Sequence, residues 1–275
     1  MKSRLFVLIL ALVIAHAALS PAAASAQVSS GNLPNRMAAI GDSITRATNV
    51  CCWYGDHPRH SWSTGGAWLD GIRSHYERIR SANPTIKGRN FNDAARGARM
   101  RNAPNQAATA VSQRAQYVTI LMGANDACTS SPSTMTSVED FRVQFQDTMS
   151  TLATGLPRAR VFVASIPNIY RLWEIYHGSF TARFVWRTAK ICQSMLAAGN
   201  TEADRQTVLA RVRAFNDVLA EVCGQYPTCR FDDHATFDFQ FARKHVSKLD
   251  FFHPSLSGQA KLASVTWEKS WWPGV

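Results

Sequence analysis

The chain has 275 residues, 46% of them hydrophobic, which is enough for one large domain with a well-buried core. Its formal charge of +11 favours anionic lipids or acidic polymers as neighbours, but no nucleic-acid motif accompanies that charge and no nucleic-acid partner is expected. No internal repeat, low-complexity tract or linker rich in Gly, Pro and Ser divides it, so a repeat array or a string of domains is excluded.

At the N-terminus, Lys2 and Arg4 precede an apolar run from Leu5 to Leu19, then Pro21 and the small residues Ala24-Ser25-Ala26. That order is a charged segment, an apolar segment and a cleavage site, so residues 1–26 read as a secretory signal peptide and 27–275 as a single exported, soluble domain. The apolar run is short for a bilayer span and carries His16, and no cysteine at the cleavage site suggests a lipid anchor. Loss of Lys2 and Arg4 leaves a charge of +9.

Strands are expected at Met37–Ile40, Phe91–Asn92, Tyr117–Met122, Val161–Ile166 and Arg230–Asp232, each a short β-prone run ending at polar or Gly/Pro residues. Helical spacing occupies Trp68–Ile79, Ala107–Arg114, Val138–Leu152 and Arg205–Cys223, and a last helix starts after Pro254 and runs to about Trp271. Strands alternating with helices argue a parallel sheet covered on both faces. Ligands of such sheets bind beyond the carboxyl ends of the strands, and Ser43, Asn125 and Pro167 all follow strand ends. The stretch Asn168–Asn200 breaks the alternation with an aromatic-rich sequence. It fits either an acyl-chain pocket, with Trp173 and Tyr176 on its wall, or a satellite cluster capping the sheet.

All six cysteines follow the cleavage site, and six allow 15 disulfide connectivities. Cys223 and Cys229 bracket a short turn and are the first expected pair, and Cys128 with Cys192 is the second. Cys51 and Cys52 are left as a vicinal pair or with other partners. No C-x-x-C pairs appear, and neither Asp56-His57 with His60 nor Asp232-Asp233-His234 has metal-site spacing, so no metal is expected.

The chemistry lies in two separated motifs, Gly41-Asp42-Ser43-Ile44-Thr45 and Asp250-Phe251-Phe252-His253-Pro254-Ser255. A serine hydroxyl needs a base to take its proton, and the base needs a carboxylate to set its tautomer. With Gly97 in Asn92–Ala98 and Asn125 in Gly123–Asp126, these motifs resemble, in order, the blocks of the SGNH (GDSL-type) hydrolases over roughly Met37 to Trp272. The resemblance implies a three-layer α/β/α sandwich on a mostly five-stranded parallel sheet, flavodoxin-like. It implies Ser43 as nucleophile, His253 as base and Asp250 as its partner. It also implies an oxyanion hole from the Ser43 and Gly97 N–H groups and the Asn125 amide, with no cofactor. Asp42 and Asp126 are expected to bond loop amides rather than act as acids.

Within the family, Ser61–Gly66 and Asn168–Tyr176 resemble segments of phospholipase B-type domains. The His253–Gly258 ending resembles that of small exported actinobacterial members. The reading is therefore an exported esterase of lipid-like acyl esters, with transient contact with anionic lipid surfaces. A carbohydrate esterase acting on envelope glycans and an inactive binding protein on the same fold are the alternatives.

Overall fold

The computed structural model describes residues 33–275. The expected signal peptide at 1–26 lies outside the described residues. Five strands, β1 (Met37–Gly41), β2 (Asn90–Asn92), β3 (Tyr117–Leu121), β4 (Arg160–Val163) and β5 (Cys229–Phe231), form one sheet in the order β2-β1-β3-β4-β5. Every pairing is parallel, with Met37 opposite Asn90 and Tyr117, and Tyr117 opposite Arg160. This is the flavodoxin-like order, and it places the switch point between β1 and β3, where the chain leaves the sheet in opposite directions. β1 and β3 are buried along their whole length, as central strands covered on both faces must be.

The helices are α1 (His75–Ala82), α2 (Ala103–Ser112), α3 (Ala124–Ala127), α4 (Val138–Gly155), α5 (Tyr170–Tyr176), α6 (Phe180–Thr188), α7 (Gln193–Leu196), α8 (Glu202–Gly224), α9 (Ala235–Asp238) and α10 (Leu256–Glu268). On one side α2 packs on α4 and α4 on α8, where the Phe141 and Phe215 rings stack 4.1 Å apart. On the other side α1 meets α10 through His75, whose ring nitrogens bond the Tyr117 and Thr266 hydroxyls at 2.8 Å each. Trp62, Phe162 and Trp267 close around that ring. Burial pushes its pKa down to about 3, with the Arg78 charge adding to the fall.

Three helix starts differ from the sequence expectation, each for a local reason. The Trp68–Ile79 spacing does not make a helix at its beginning: α1 starts at His75, because Ser74 and Glu77 close a capping box there. Trp68 and Leu69 instead project from a turn. Helix α2 starts four residues before Ala107, with Pro104 in its first turn, where a missing N–H costs nothing. Helix α8 extends back to Glu202, capped by Thr201, which accepts the Asp204 N–H. The last helix is capped by Ser255 as expected, and ends at Glu268.

Disulfides join Cys128 to Cys192 and Cys223 to Cys229. Cys51 and Cys52 are free thiols, which corrects the expectation that both would be bridged. Asn168–Asn200 forms α5, α6 and α7, and the Cys128–Cys192 bridge ties this unit to the loop after β3. No helix among the described residues is long and apolar enough to cross a membrane.

Candidate active site

β1 delivers Ser43 to the carboxyl edge of the sheet. Its last residue, Gly41, turns so tightly that an added Cβ would lie 2.4 Å from Thr45 Oγ1 and 2.9 Å from the Leu121 carbonyl. Only glycine fits there. His253 and Asp250 share the loop before α10, which is fastened by the antiparallel bridge between Val246 and Pro254.

The three side chains form a continuous relay. His253 Nδ1 donates to Asp250 Oδ2 at 2.6 Å, and the Ser43 hydroxyl lies 2.8 Å from His253 Nε2. With Nδ1 spent on a carboxylate that only accepts, the neutral ring offers Nε2 to the Ser43 proton. Asp250 is fully engaged: Oδ1 accepts the Phe252 and His253 N–H groups, and Oδ2 also accepts the Asn49 amide at 2.6 Å. Burial pushes its carboxyl up, but the His253 hydrogen bond and charge, the Asn49 amide and the Phe252 N–H outweigh burial. Together they hold it below the usual carboxylate range. Asn49 was not anticipated, and nothing local in the sequence marks it, because its partner lies 201 residues away.

Asn125 and Gly97 come from the neighbouring loops. The Asn125 amide donates to the Ala98 carbonyl at 3.0 Å, which spends one of its two N–H bonds and joins the two loops. Gly97 takes a φ of +70°, a conformation that favours glycine. Among the described residues, neither the Ser43 N–H nor the Gly97 N–H donates to a protein acceptor.

Asp42 and Asp126 both bond loop amides. Asp42 Oδ1 accepts the Ile44 N–H at 2.8 Å, and Asp126 accepts the Met100 N–H at 2.9 Å and the Thr136 hydroxyl at 2.8 Å. Complete burial pushes Asp42 up to about 7, despite the opposing Ile44 N–H and the His253 charge. Burial raises Asp126 as well, partly offset by its hydrogen bonds.

An apolar cavity of about 60 Å³ opens beside the relay, lined by Ile44, Ala124, Ile169, Leu172, Val246 and Phe252 among others. That is several times the space one water requires. Ile44 follows Ser43 and Phe252 precedes His253, so the cavity adjoins both. Trp173 and Tyr176, expected on such a wall, are not on it. Leu172 faces the cavity, whereas Trp173, about 100° further round the helix, lies under the Arg205 guanidinium at 3.5 Å. Tyr176 is buried edge-on to Trp186 and Phe251, and its hydroxyl donates to the Arg243 carbonyl.

No cluster of three or more His, Cys, Asp or Glu side chains able to hold a metal occurs among the described residues. The two sequence clusters are spent elsewhere. Asp56 pairs with Arg46 and Arg96, His60 with Asp70, Asp233 with Lys269, and Asp232 accepts from Ser165.

A family model described as GDSL-like lipase/acylhydrolase matches residues 37–265. The chain belongs to this family. Membrane-associated phospholipase B1 of Mus musculus is 24% identical over 224 residues, which cover 69% of this chain but 15% of that protein. Two solved structures share the fold. LAE5, an alpha/beta hydrolase from the metagenome of Lake Arreo, superposes with a TM-score of 0.55 at 15% identity over 85% of this chain and 94% of its own. An extracellular lipase of Streptomyces rimosus gives 0.52 at 17% identity over 86% and 99%. As a GDSL-like hydrolase, the protein is of an ester-hydrolase family, and the separation of Ser43 from His253 by 210 residues is closed by the sheet order of that fold.

Proposed function

We propose that the protein is an exported serine esterase that hydrolyses acyl esters of lipid character. The observation that carries this reading is the unbroken Asp250–His253–Ser43 relay beside an apolar cavity. Ser43 Oγ attacks the ester carbonyl carbon as its proton passes to His253 Nε2, and Asp250 favours the imidazolium that forms. The Ser43 and Gly97 N–H groups and the Asn125 amide stabilise the oxyanion, each donor worth about 3–4 kcal/mol in the transition state. Collapse of the intermediate expels the alcohol, which takes the proton from His253 and leaves an acyl group on Ser43. Water then repeats the sequence and releases the acid. Nucleophile, base and oxyanion donors all come from the chain, so the reaction uses neither metal nor cofactor.

The apolar lining supports an acyl chain in the cavity, and the two disulfides suit an oxidising, extracellular setting reached through residues 1–26. A fluorophosphonate tests the reaction directly, because it adds to an activated serine oxygen with loss of fluoride. Intact-mass measurement gives one adduct on the parent protein and none on Ser43→Ala. An unlabelled parent would point instead to an inactive binding protein on this fold.

A further inference from the structure

Four of the large apolar side chains exposed among the described residues stand on two neighbouring loops: Trp53 at 67%, Tyr54 at 69%, Trp68 at 83% and Leu69 at 89%. Side-chain contacts join the loops. The Trp53 ring meets His57 edge-on at 5.2 Å, His57 lies 6.3 Å from His60, and His60 bonds Asp70 at 2.8 Å. The Gly66 and Ala67 N–H groups both donate to the Arg59 carbonyl at 3.0 Å. The pair of loops also reaches the relay: the Tyr54 hydroxyl donates to the Leu249 carbonyl, next to Asp250, and Asn49 at the root of the first loop bonds Asp250 itself.

The exposed charged residues on this surface are basic. Arg59, Arg73 and Lys248 are exposed, and none of them forms an ion pair among the described residues. The nearby acids keep their charge but are half-buried and already bonded. Asp56 faces Arg46 and Arg96, Asp70 holds His60 and the Ile72 N–H, and Glu77 closes the capping box on Ser74. Leu69 is held outward at a φ of +60°, a left-handed conformation uncommon for leucine. Presenting that side chain to water costs both backbone strain and exposed apolar area.

We propose that the Trp53–Tyr54 and Trp68–Leu69 loops are a docking surface for an anionic lipid bilayer. Tryptophan and tyrosine rings settle at the boundary of headgroups and acyl chains, and the three free cations are drawn to the negative surface. Docking there turns the Ser43 edge toward the lipid. The proposal deepens the lipid-ester reading and rests on it for its purpose, but its measurement does not depend on turnover.

The test is flotation of exported Ser43→Ala protein, freed of residues 1–26, with vesicles of phosphatidylcholine alone and of phosphatidylcholine with phosphatidylglycerol, Ser43→Ala being used so that the lipids stay intact. Binding to the anionic vesicles is expected to exceed binding to neutral ones at least about tenfold, and to weaken as salt screens the charges. In the same background, Trp53→Ser with Trp68→Ser and Leu69→Ser lowers that binding about tenfold or more, as withdrawal of rings from an interface should. With Ser43 restored, the triple variant turns over a dissolved acetyl ester at the parent rate, since none of these side chains belongs to the relay. Equal binding by parent and triple variant, equal binding to neutral and anionic vesicles, or retention on an acetylated polysaccharide with no vesicle binding would each overturn the docking surface. Loss of vesicle binding with turnover intact, or the reverse, separates this proposal from the esterase reading.

Discussion

Asn49 and His253 donate to the same oxygen of Asp250, each at 2.6 Å, so one carboxylate oxygen is held from both sides. Asn49 itself sits at a φ of +54° and receives the Gly55 N–H on its own side-chain oxygen at 2.8 Å. Asn49, at the root of the loop that carries Trp53 and Tyr54, therefore holds Asp250 in place.

Asn49→Ala should lower kcat about tenfold with little change in KM, because it loosens the carboxylate without touching substrate. The Asn49 amide is one of the groups holding Asp250 low, so its removal raises that carboxyl. A depressed carboxyl contributes stability that is present above its unfolded value and lost as pH falls through the folded value. The acid limb of both activity and stability should then move to higher pH in Asn49→Ala. Unchanged acid limbs would show that Asn49 does not act on Asp250.

Ser43→Ala and His253→Ala should each lose about 10⁴-fold or more in turnover while remaining folded, and the double variant should be scarcely worse, as members of one unit behave. Circular dichroism and ester hydrolysis measured together check this. Near-parental turnover in either single variant would end the mechanism.

The cavity of about 60 Å³ sets an expectation for acyl length. Each buried methylene adds about 0.8 kcal/mol to binding, so kcat/KM should climb from acetyl to about four to six carbons and then level off as the cavity fills. Leu172→Trp should shift the preference toward acetyl esters. Trp173→Ala should leave the profile unchanged, since Trp173 packs under Arg205 instead. A preference for acetyl groups in the parent itself would favour a glycan deacylase.

Two buried groups give stability opposite dependences on pH. His75 is depressed to about 3, so the unfolded chain takes up a proton first and stability falls as pH drops from about 6.5 toward 3. Asp42 is raised to about 7, so its contribution is complete below the ordinary 3.8 and is lost as pH rises through about 7. Thermal melts of Asp42→Asn, which keeps an acceptor for the Ile44 N–H, should show a flatter decline between about pH 4 and 7 than the parent. His75→Phe should lose stability overall, yet show less further loss on acidification.

The disulfides should differ in weight. The Cys128–Cys192 loop spans 64 residues and the Cys223–Cys229 loop 6, so chain entropy assigns the first about 4 kcal/mol and the second about 2 kcal/mol. Denaturant melts of the Cys128→Ala/Cys192→Ala and Cys223→Ala/Cys229→Ala variants read the difference, and equal losses would contradict it.

The sequence by itself determined the parallel α/β plan, because short, near-continuous apolar runs such as Tyr117–Leu121 alternate with helical spacing and each ends at a turn signal. Local chemistry also announced Ser43 and the Asp250–His253 loop, since a short motif carries its own residue types. Only the tertiary structure decided what lies around them. Asn49 reaches Asp250 across 201 residues, and the cavity wall joins side chains from the loops after β1, β3 and β4 and from the segment before α10. Whether Leu172 or Trp173 faces that wall depends on a rotation of about 100° along a short helix, and neighbouring elements set it rather than the helix's own composition. The exposure of Trp68 and Leu69 was hidden for the same reason: their spacing reads as a buried helical face until the Ser74 cap places the helix start after them.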